Sequence, residues 1–263
     1  MTKATTTLYT KELFWGELMK KLLLSVTIAG ALSLAGCDSE SIKDVQQSVE
    51  SNDSGIKASG RVVFDPTNGL LSVPNDLLFQ DTLDGTLNLP VEDATDESDP
   101  FVALSALDGW STVNPFVLSI DFPADTSLDA DSVAGGVQVF EAIMGGDAND
   151  ADCTSVERGL ACKIVAQLTF GVDYFAQKSG DGVAIVPLKP LKAETTYLVA
   201  LTDALKDNNG QAVAGSTTYE LVRQDITTHP LATEAQLALQ AIVNSFEQVI
   251  VNEGVNADSL IYT

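Results

Sequence analysis

Basic residues, histidine and cysteine are all scarce in this chain. Lys and Arg number 14 against 37 Asp and Glu, which gives a formal net charge of −23 at pH 7. A surface this acidic repels nucleic-acid phosphates and anionic membrane faces, so nucleic-acid binding is excluded as a function. The hydrophobic content of 45% is ordinary for a globular protein, and 263 residues suffice for one large or two small domains.

The residue patterns of common hydrolytic sites are missing as well. The sequence contains no Gly-x-Ser-x-Gly segment, which forms the nucleophile elbow of α/β-hydrolases. Ser111 follows Gly109 but lacks the second glycine, and we interpret it as a loop residue. His229 is the only histidine and precedes Pro230 in a linker, where a structural or surface role is favoured over Ser-His-Asp catalysis. No phosphate-binding glycine loop and no zinc spacing occur, so no cofactor is predicted.

One apolar run near the start of the chain predicts export. It begins at Leu22, directly after Lys20 and Lys21, and it is too short to remain in a bilayer as a spanning helix. A basic start, an apolar run and a small-residue end are the three parts of a secretory signal. The ending Leu34-Ala-Gly-Cys37 resembles a bacterial lipobox, in which Cys37 is diacylated and becomes the first mature residue. The alternative is an ordinary cleaved signal with a chance cysteine.

Residues 1–36 are therefore predicted to be a signal peptide and are left out of the fold. Met19 is a candidate for the true start, because Met19 with the two lysines after it would begin a complete signal without help. The alternative is a longer basic region upstream, but Glu12 and Glu17 argue against it.

Residues 37–59 predict a flexible, disordered tether behind the lipid anchor. The stretch is polar, rich in serine and poor in large apolar residues, so it cannot bury enough surface to become ordered. With Cys37 lipidated, the membrane is a predicted partner and the protein is an exported lipoprotein. Asp38, directly after Cys37, favours retention at the inner membrane in many bacteria.

The two remaining cysteines predict a disulfide. Cys153 and Cys162 form an even pair in a protein directed to an oxidising compartment. A free pair and a metal site remain as alternatives, and the metal site would need ligands beyond two cysteines.

An acidic loop lies directly before this pair and offers a weak calcium candidate. Its oxygen ligands would be Asp147, Asn149, Asp150 and Asp152. The loop lacks the glycine and the distal glutamate of an EF-hand, and the alternative is a solvated hairpin tip clamped at its base by the disulfide.

Alternation of apolar and polar residues predicts a mainly β fold. Phe116, Leu118, Ile120 and Phe122 share one face of a strand, and polar residues alternate with them. Further strands are predicted at residues 61–64, 137–140, 164–170, 182–187 and 195–201, with turn residues between them. This spacing is typical of an antiparallel β-sandwich. We expect a β-rich segment over residues 60–114 and an Ig-like sandwich over residues 115–263.

Residues 231–253 predict one long amphipathic helix near the C-terminus. Thr233 can cap it, Glu234 lies in its first turn and Gly254 ends it. Its apolar stripe consists of Leu239, Ile242, Val243, Phe246, Val249 and Ile250. Residues 259–263 then begin another strand and stop, so the sandwich is expected to be truncated at its C-terminus.

Residues 115–210 resemble a bacterial Ig-like domain of the type repeated in surface proteins. The resemblance lies in residues 115–122, 132–140, 187–197 and 206–210. It places Tyr197 at the tyrosine corner that such sandwiches often carry. It implies the fold and leaves the ligand open.

A wider resemblance covers nearly the whole mature chain. The matching stretches are residues 64–69, 73–79, 84–90 and 104–112, and the strongest begins with Asp84, Gly85 and Thr86. This pattern resembles the N-terminal region of the bacterial virulence-factor lipases, which are lipid-anchored lysophospholipase-type enzymes of the outer surface.

The resemblance implies that an α/β-hydrolase domain with its serine elbow lies downstream, whereas this chain ends where that domain should begin. No catalytic residue is carried over, and we expect a non-catalytic module that presents or stabilises the hydrolase. The chain alone is expected to be inactive. The resemblance implies an outer-membrane or cell-surface location, against the indication from Asp38. The alternative function is a free-standing Ig-like surface lipoprotein for adhesion or ligand binding, through residues 93–99 and 147–152.

Overall fold

Strands dominate the fold. The computed structural model describes residues 59–80, 82, 85–89, 91, 93–96 and 98–263, and this part contains eight strands: β1 (Arg61–Val62), β2 (Phe116–Asp121), β3 (Val137–Met144), β4 (Ala161–Gln167), β5 (Tyr174–Ser179), β6 (Gly182–Pro187), β7 (Thr196–Thr202) and β8 (Leu260–Tyr262). The α-helices of this part are α1 (Pro100–Leu104), α2 (Val133–Gly136), α3 (Thr217–Val222) and α4 (Glu234–Asn252), and four short 3-10 helices accompany them. The predicted signal peptide, the tether and Cys37 lie outside the described residues.

The strands form two antiparallel four-stranded sheets, which confirms the predicted β-sandwich class. The first sheet has the order β1-β2-β6-β5 and the second the order β4-β3-β7-β8. The predicted alternation in β2 is confirmed, because Leu118 and Ile120 are buried while Val117, Ser119 and Asp121 are exposed. Tyr197 forms the expected corner, since its hydroxyl accepts a hydrogen bond from the Lys192 backbone N–H at 3.0 Å.

The fold has three layers, because the second sheet is covered on both faces. One core cluster lies between the sheets and includes Leu118 and Ile185 of the first sheet with Val139 and Leu201 of the second. A second cluster lies on the other face of the second sheet, where strand residues such as Phe140, Leu198 and Leu260 contact Val249 and Ile250 of α4. Both faces of β3 and β7 are therefore apolar.

The long helix forms where the sequence predicts it. Thr233 caps α4 by accepting a hydrogen bond from the Gln236 N–H at 3.2 Å, and the Gln236 side chain returns one to the Thr233 N–H. The helix ends at Asn252, and Gly254 follows with a φ of 95° that favours glycine. No helix in the described part of the chain is long and apolar enough to cross a membrane.

The predicted strand at residues 259–263 is β8, which pairs with β7 and is buried at each of its three positions. On the other sheet, β1 pairs with β2 across the predicted boundary between residues 114 and 115. Residues 214–216 adjoin both edge strands: the Val62 N–H donates to the Ala214 carbonyl at 2.9 Å, and Gly215 lies against the Ile261 carbonyl. The described residues form one compact unit.

The strands β3, β4 and β5 depart most from the predicted pattern. β3 continues to Met144, beyond its predicted end at residue 140. The strand predicted at residues 164–170 begins earlier, at Ala161, and ends at Gln167, although the Leu168 N–H still donates to the Val139 carbonyl. The sequence did not predict β5, because Lys178 interrupts its apolar face. In the structure Lys178 points inward and its Nζ donates to the Leu128 carbonyl at 2.7 Å, which satisfies the ammonium group there.

Candidate functional site

Ser111 and His229, the two residues considered for hydrolysis, are each engaged in local turns. The Ser111 hydroxyl accepts hydrogen bonds from the backbone N–H groups of Val113 and Asn114 at 3.3 and 3.1 Å. Nδ1 of His229 lies 2.9 Å from the Thr228 hydroxyl. A catalytic serine needs its hydroxyl beside a base, and in the described residues these contacts give Ser111 and His229 turn-forming partners instead.

The predicted disulfide between Cys153 and Cys162 is confirmed, and it closes a loop of nine positions. The acidic residues proposed for calcium form a separate loop directly before Cys153, at positions 147–152. Lys163, next to Cys162, pairs with Asp150 at 2.7 Å and with Asp152 at 3.5 Å. The hydrogen bond from Lys163 is the main reason that the pKa of Asp150 is lowered.

The other oxygens of this loop hold its backbone in place. The Asp147 carboxylate accepts from the Asn149 N–H at 2.7 Å, and that of Asp150 accepts from the Asp152 N–H at 3.1 Å. Across the described residues, no group of three or more His, Cys, Asp or Glu side chains is placed to hold a metal ion. Calcium binding stays a prediction without support from this geometry, and the contacts are those of a clamped hairpin tip.

The stretches that carry the lipase resemblance come together in one place. The Leu87 N–H donates to the Leu107 carbonyl at 2.9 Å, and the Asn88 N–H donates to the Leu78 carbonyl at 2.6 Å. Gly85 has a φ of 77°, which explains a glycine at this turn. Asp84 lies outside the described residues, and Thr86 is half-buried among these stretches. The pattern therefore has a structural role here, joining residues 73–79, 85–89 and 104–112.

A tryptophan closes this unit. Nε1 of Trp110 donates to the Asp76 carboxylate at 3.2 Å, and its ring packs edge-on against Phe79 with centroids 5.8 Å apart. Desolvation by neighbouring residues raises the pKa of Asp76, although the residue as a whole is exposed, and the hydrogen bond from Trp110 opposes that shift. A raised carboxyl pKa often marks a functional site, but here a packed indole occupies the carboxylate.

Sequence reasoning missed a buried polar cluster at the C-terminal end. Tyr219 is fully buried, and its hydroxyl lies 2.8 Å from Oε1 of Glu247. Nε of Arg223 lies 3.2 Å from the same carboxylate, and the Thr263 N–H donates to the Tyr219 oxygen at 3.0 Å. Burial raises the pKa of Glu247, against the lowering effect of Arg223. Tyr219 and Arg223 are four positions apart, but Glu247 and Thr263 lie 24 or more positions away from them, and no local pattern connects the three parts.

Two surface grooves are lined by other residues. The larger, of about 590 Å³, lies beside Gly145 and Gly146 and includes Glu141, whose carboxylate pairs with Lys192 at 2.8 Å. The other, of about 360 Å³, lies between α2 and the start of β5. Neither includes Ser111 or His229.

Residues 44–263 match the family model described as bacterial virulence factor lipase N-terminal. The chain belongs to this family. The match covers the sandwich, α4 and the unit closed by Trp110, and it confirms the resemblance drawn from the sequence. A search of curated proteins and a search of solved structures each found no significant match. The family suggests an extracellular or surface protein, and a disulfide is compatible with that environment.

Proposed function

We propose that this chain is the non-catalytic N-terminal module of a lipid-anchored lipase or lysophospholipase, and that it presents or stabilises an α/β-hydrolase domain on its C-terminal side. The observation that carries the proposal is the family match over residues 44–263, because that family is the N-terminal part of lipases. The match makes the chain a lipase-associated module. The hydrolase domain and the anchor are the parts that we add.

The residues of the chain support a non-catalytic role. The sequence has no nucleophile elbow and a single histidine, and in the structure that histidine contacts a threonine of its own turn. Ester hydrolysis by a serine enzyme needs a nucleophile, a base and an oxyanion hole in one cleft. Neither Ser111 nor His229 lines the two grooves described above.

Lipidation of Cys37 is the proposed means of attachment. The signal-like run and the small residues before Cys37 favour acylation there, and the polar residues up to position 59 would act as the spacer. We place the protein at the outer membrane or the cell surface, despite Asp38, because the family suggests a surface or extracellular location.

Two assays test the anchor and the absence of activity. Metabolic labelling with a radioactive fatty acid should label the wild-type chain, whereas Cys37→Ser should remain unlabelled and leave the membrane fraction. The purified chain should hydrolyse neither a short-chain ester nor a lysophospholipid above the buffer rate. Hydrolysis abolished by both His229→Ala and Ser111→Ala would overturn the non-catalytic role.

The contribution of the module to the hydrolase is tested in the lipase that contains both domains. The lipase should be expressed with and without residues 60–263, and folded enzyme at the cell surface measured by accessible activity and by antibody. We expect the shortened enzyme to be lost from the surface or degraded. An enzyme equally abundant and active without the module would contradict the proposal, and saturable binding of the module to a host glycan would then favour the adhesion function.

A further inference from the structure

The end of the described chain is held by a series of hydrogen bonds that reaches the partly buried guanidinium group of Arg223. Both the N–H and the hydroxyl of Thr263 lie 3.0 Å from the Tyr219 hydroxyl oxygen, which lies 2.8 Å from Glu247. Two nitrogens of Arg223 approach that carboxylate, at 3.2 and 3.5 Å. Hydrogen bonds and an ion pair thus connect four side chains one after another: Tyr219 in α3, Arg223 directly after that helix, Glu247 in α4 and Thr263 directly after β8.

The hydrogen bonds between Thr263, Tyr219 and Glu247 can be given one consistent order of donors and acceptors. An ionised carboxylate can only accept, so the Tyr219 O–H donates to Glu247 and its oxygen is free to accept from the Thr263 N–H. Hydrogen bonds to charged groups are stronger than neutral ones, and Arg223 compensates the carboxylate charge that Tyr219 approaches. The buried tyrosine hydroxyl is therefore satisfied at both ends.

Additional contacts hold the residues that lead into Thr263. Arg223 also donates to the Ala257 carbonyl at 3.3 Å, in the turn that leads into β8. The ring of Tyr262 packs against the rings of Tyr219 and Phe64, with centroids 4.9 and 5.8 Å away. The last residues are thus held by ring packing and by hydrogen bonds from one buried centre.

We propose that Arg223, Glu247 and Tyr219 form a rigid joint, which fixes the direction in which the chain leaves the sandwich at Thr263 and so orients the domain that follows. This inference rests on the proposed function, because it takes a C-terminal hydrolase domain as what is oriented. The contacts to Tyr219 use the N–H and the hydroxyl of Thr263, so they persist when its carboxyl group continues into a peptide bond.

If Tyr219 had a purely structural role, only its aromatic ring would be needed. Packing against Phe64 and Tyr262 needs only the ring, and phenylalanine would supply it. The hydroxyl serves the chain end and Glu247 alone. Replacing Tyr219 by Phe therefore separates the joint from the core that surrounds it.

The test measures orientation directly. A small folded reporter domain with one cysteine is fused after Thr263 of the full chain, without a linker. Cys37→Ser removes the competing thiol, and Ala238→Cys supplies a second label on the exposed face of α4. Pulsed electron paramagnetic resonance between two nitroxide labels then gives the distribution of distances between module and reporter.

The parent fusion should give a narrow distribution, and Tyr219→Phe should widen it about twofold or more, because the chain end loses its hydrogen bonds. Tyr174→Phe is the matched control: Tyr174 is equally buried and its hydroxyl donates to the Val137 carbonyl at 2.9 Å, away from the chain end. It should leave the distribution narrow. A broad distribution in the parent, or a Tyr219→Phe fusion as narrow as the parent, would overturn the joint.

A second variant tests the same contact in case the Tyr219→Phe protein does not fold. Thr263→Pro removes the N–H donor at the chain end and leaves the buried tyrosine in place. It should also widen the distribution, and an unchanged width would count against the joint. Because the reporter replaces the natural domain, these outcomes do not depend on whether a hydrolase follows in the native protein. That question is decided separately by the enzyme with and without residues 60–263.

Discussion

The side-chain amide of Gln240 donates to the backbone carbonyl of His229 at 3.0 Å. Gln240 is fully buried in α4, and its Oε1 accepts from the Leu231 N–H, also at 3.0 Å. The only histidine of the chain thus belongs, through its backbone, to the connection that leads into the helix. A polar residue inside the apolar face of a helix was the available sequence signal for this contact.

Replacing Gln240 by Leu should destabilise the fold by about 2–4 kcal/mol, because the His229 carbonyl and the Leu231 N–H would lose their buried partner. Chemical unfolding followed by circular dichroism measures the effect. Gln248→Leu is the control on the exposed face of the same helix, where the Gln248 amide donates to the exposed Asn252 side chain, and its effect should stay within about 0.5 kcal/mol. Equal effects at both positions would contradict this account.

Removing the disulfide should cost about 2–3 kcal/mol, because the unfolded chain regains the freedom of a short loop. The double variant Cys153→Ala and Cys162→Ala tests this by chemical unfolding against the oxidised wild type. The oxidised and reduced wild type should differ by a similar amount, and the reduced double variant should not change. No difference between oxidised and reduced wild type would refute the expectation.

Gly145 is packed too tightly for any side chain. A Cβ added there would overlap the Glu157 carbonyl oxygen in the loop that the disulfide closes. Gly145→Ala should destabilise the protein by about 1–3 kcal/mol, since backbone must move to admit the methyl group. Gly135→Ala is the matched change, because nothing lies within 4 Å of a Cβ at that position. A thermal scan in which both variants melt with the wild type would count against the tight packing.

The contribution of Glu247 to the stability of the fold should depend on pH. Its pKa is raised above the ordinary value of 4.5, chiefly by burial, so the folded state holds its proton more tightly than the unfolded state. Its contribution to stability is therefore full below pH 4.5 and is lost as the pH rises through the raised pKa. Relative to Glu247→Gln, wild type should lose stability across that window. Unfolding curves for both proteins at closely spaced pH values provide the test, and a constant difference would disprove it.

The elements that could be predicted from the sequence are those whose determinants lie within one short stretch of residues. The α4 helix was predictable from Thr233, its periodic stripe and Gly254, which lie within one stretch, and β2 from simple alternation. The β5 strand was not, because Lys178 occupies an inward position and is satisfied by a carbonyl 50 positions away. What satisfies a buried polar group is decided by the packed structure.

The candidate site also combines features with a local sequence signal and features that depend on contacts between distant residues. The disulfide followed from an even cysteine pair, and the family from short motifs along the chain. The cluster connects Tyr219 and Arg223, four positions apart, to Glu247, 24 to 28 positions further along the chain, and to Thr263, 44 positions after Tyr219. Asp207 is a further example. Its Oδ1 accepts from two turn N–H groups, while Oδ2 is the buried side-chain atom in the described residues without a hydrogen-bond partner.

The meeting of the two edge strands at residues 214–216 has a consequence for the order of folding. Arg61 bonds to Gly215, 154 positions away, and Phe64 packs on Tyr262 near the end of the chain. Contacts between such distant residues form slowly, since a long loop must close first. The sandwich cannot be completed before its last strand has been synthesised.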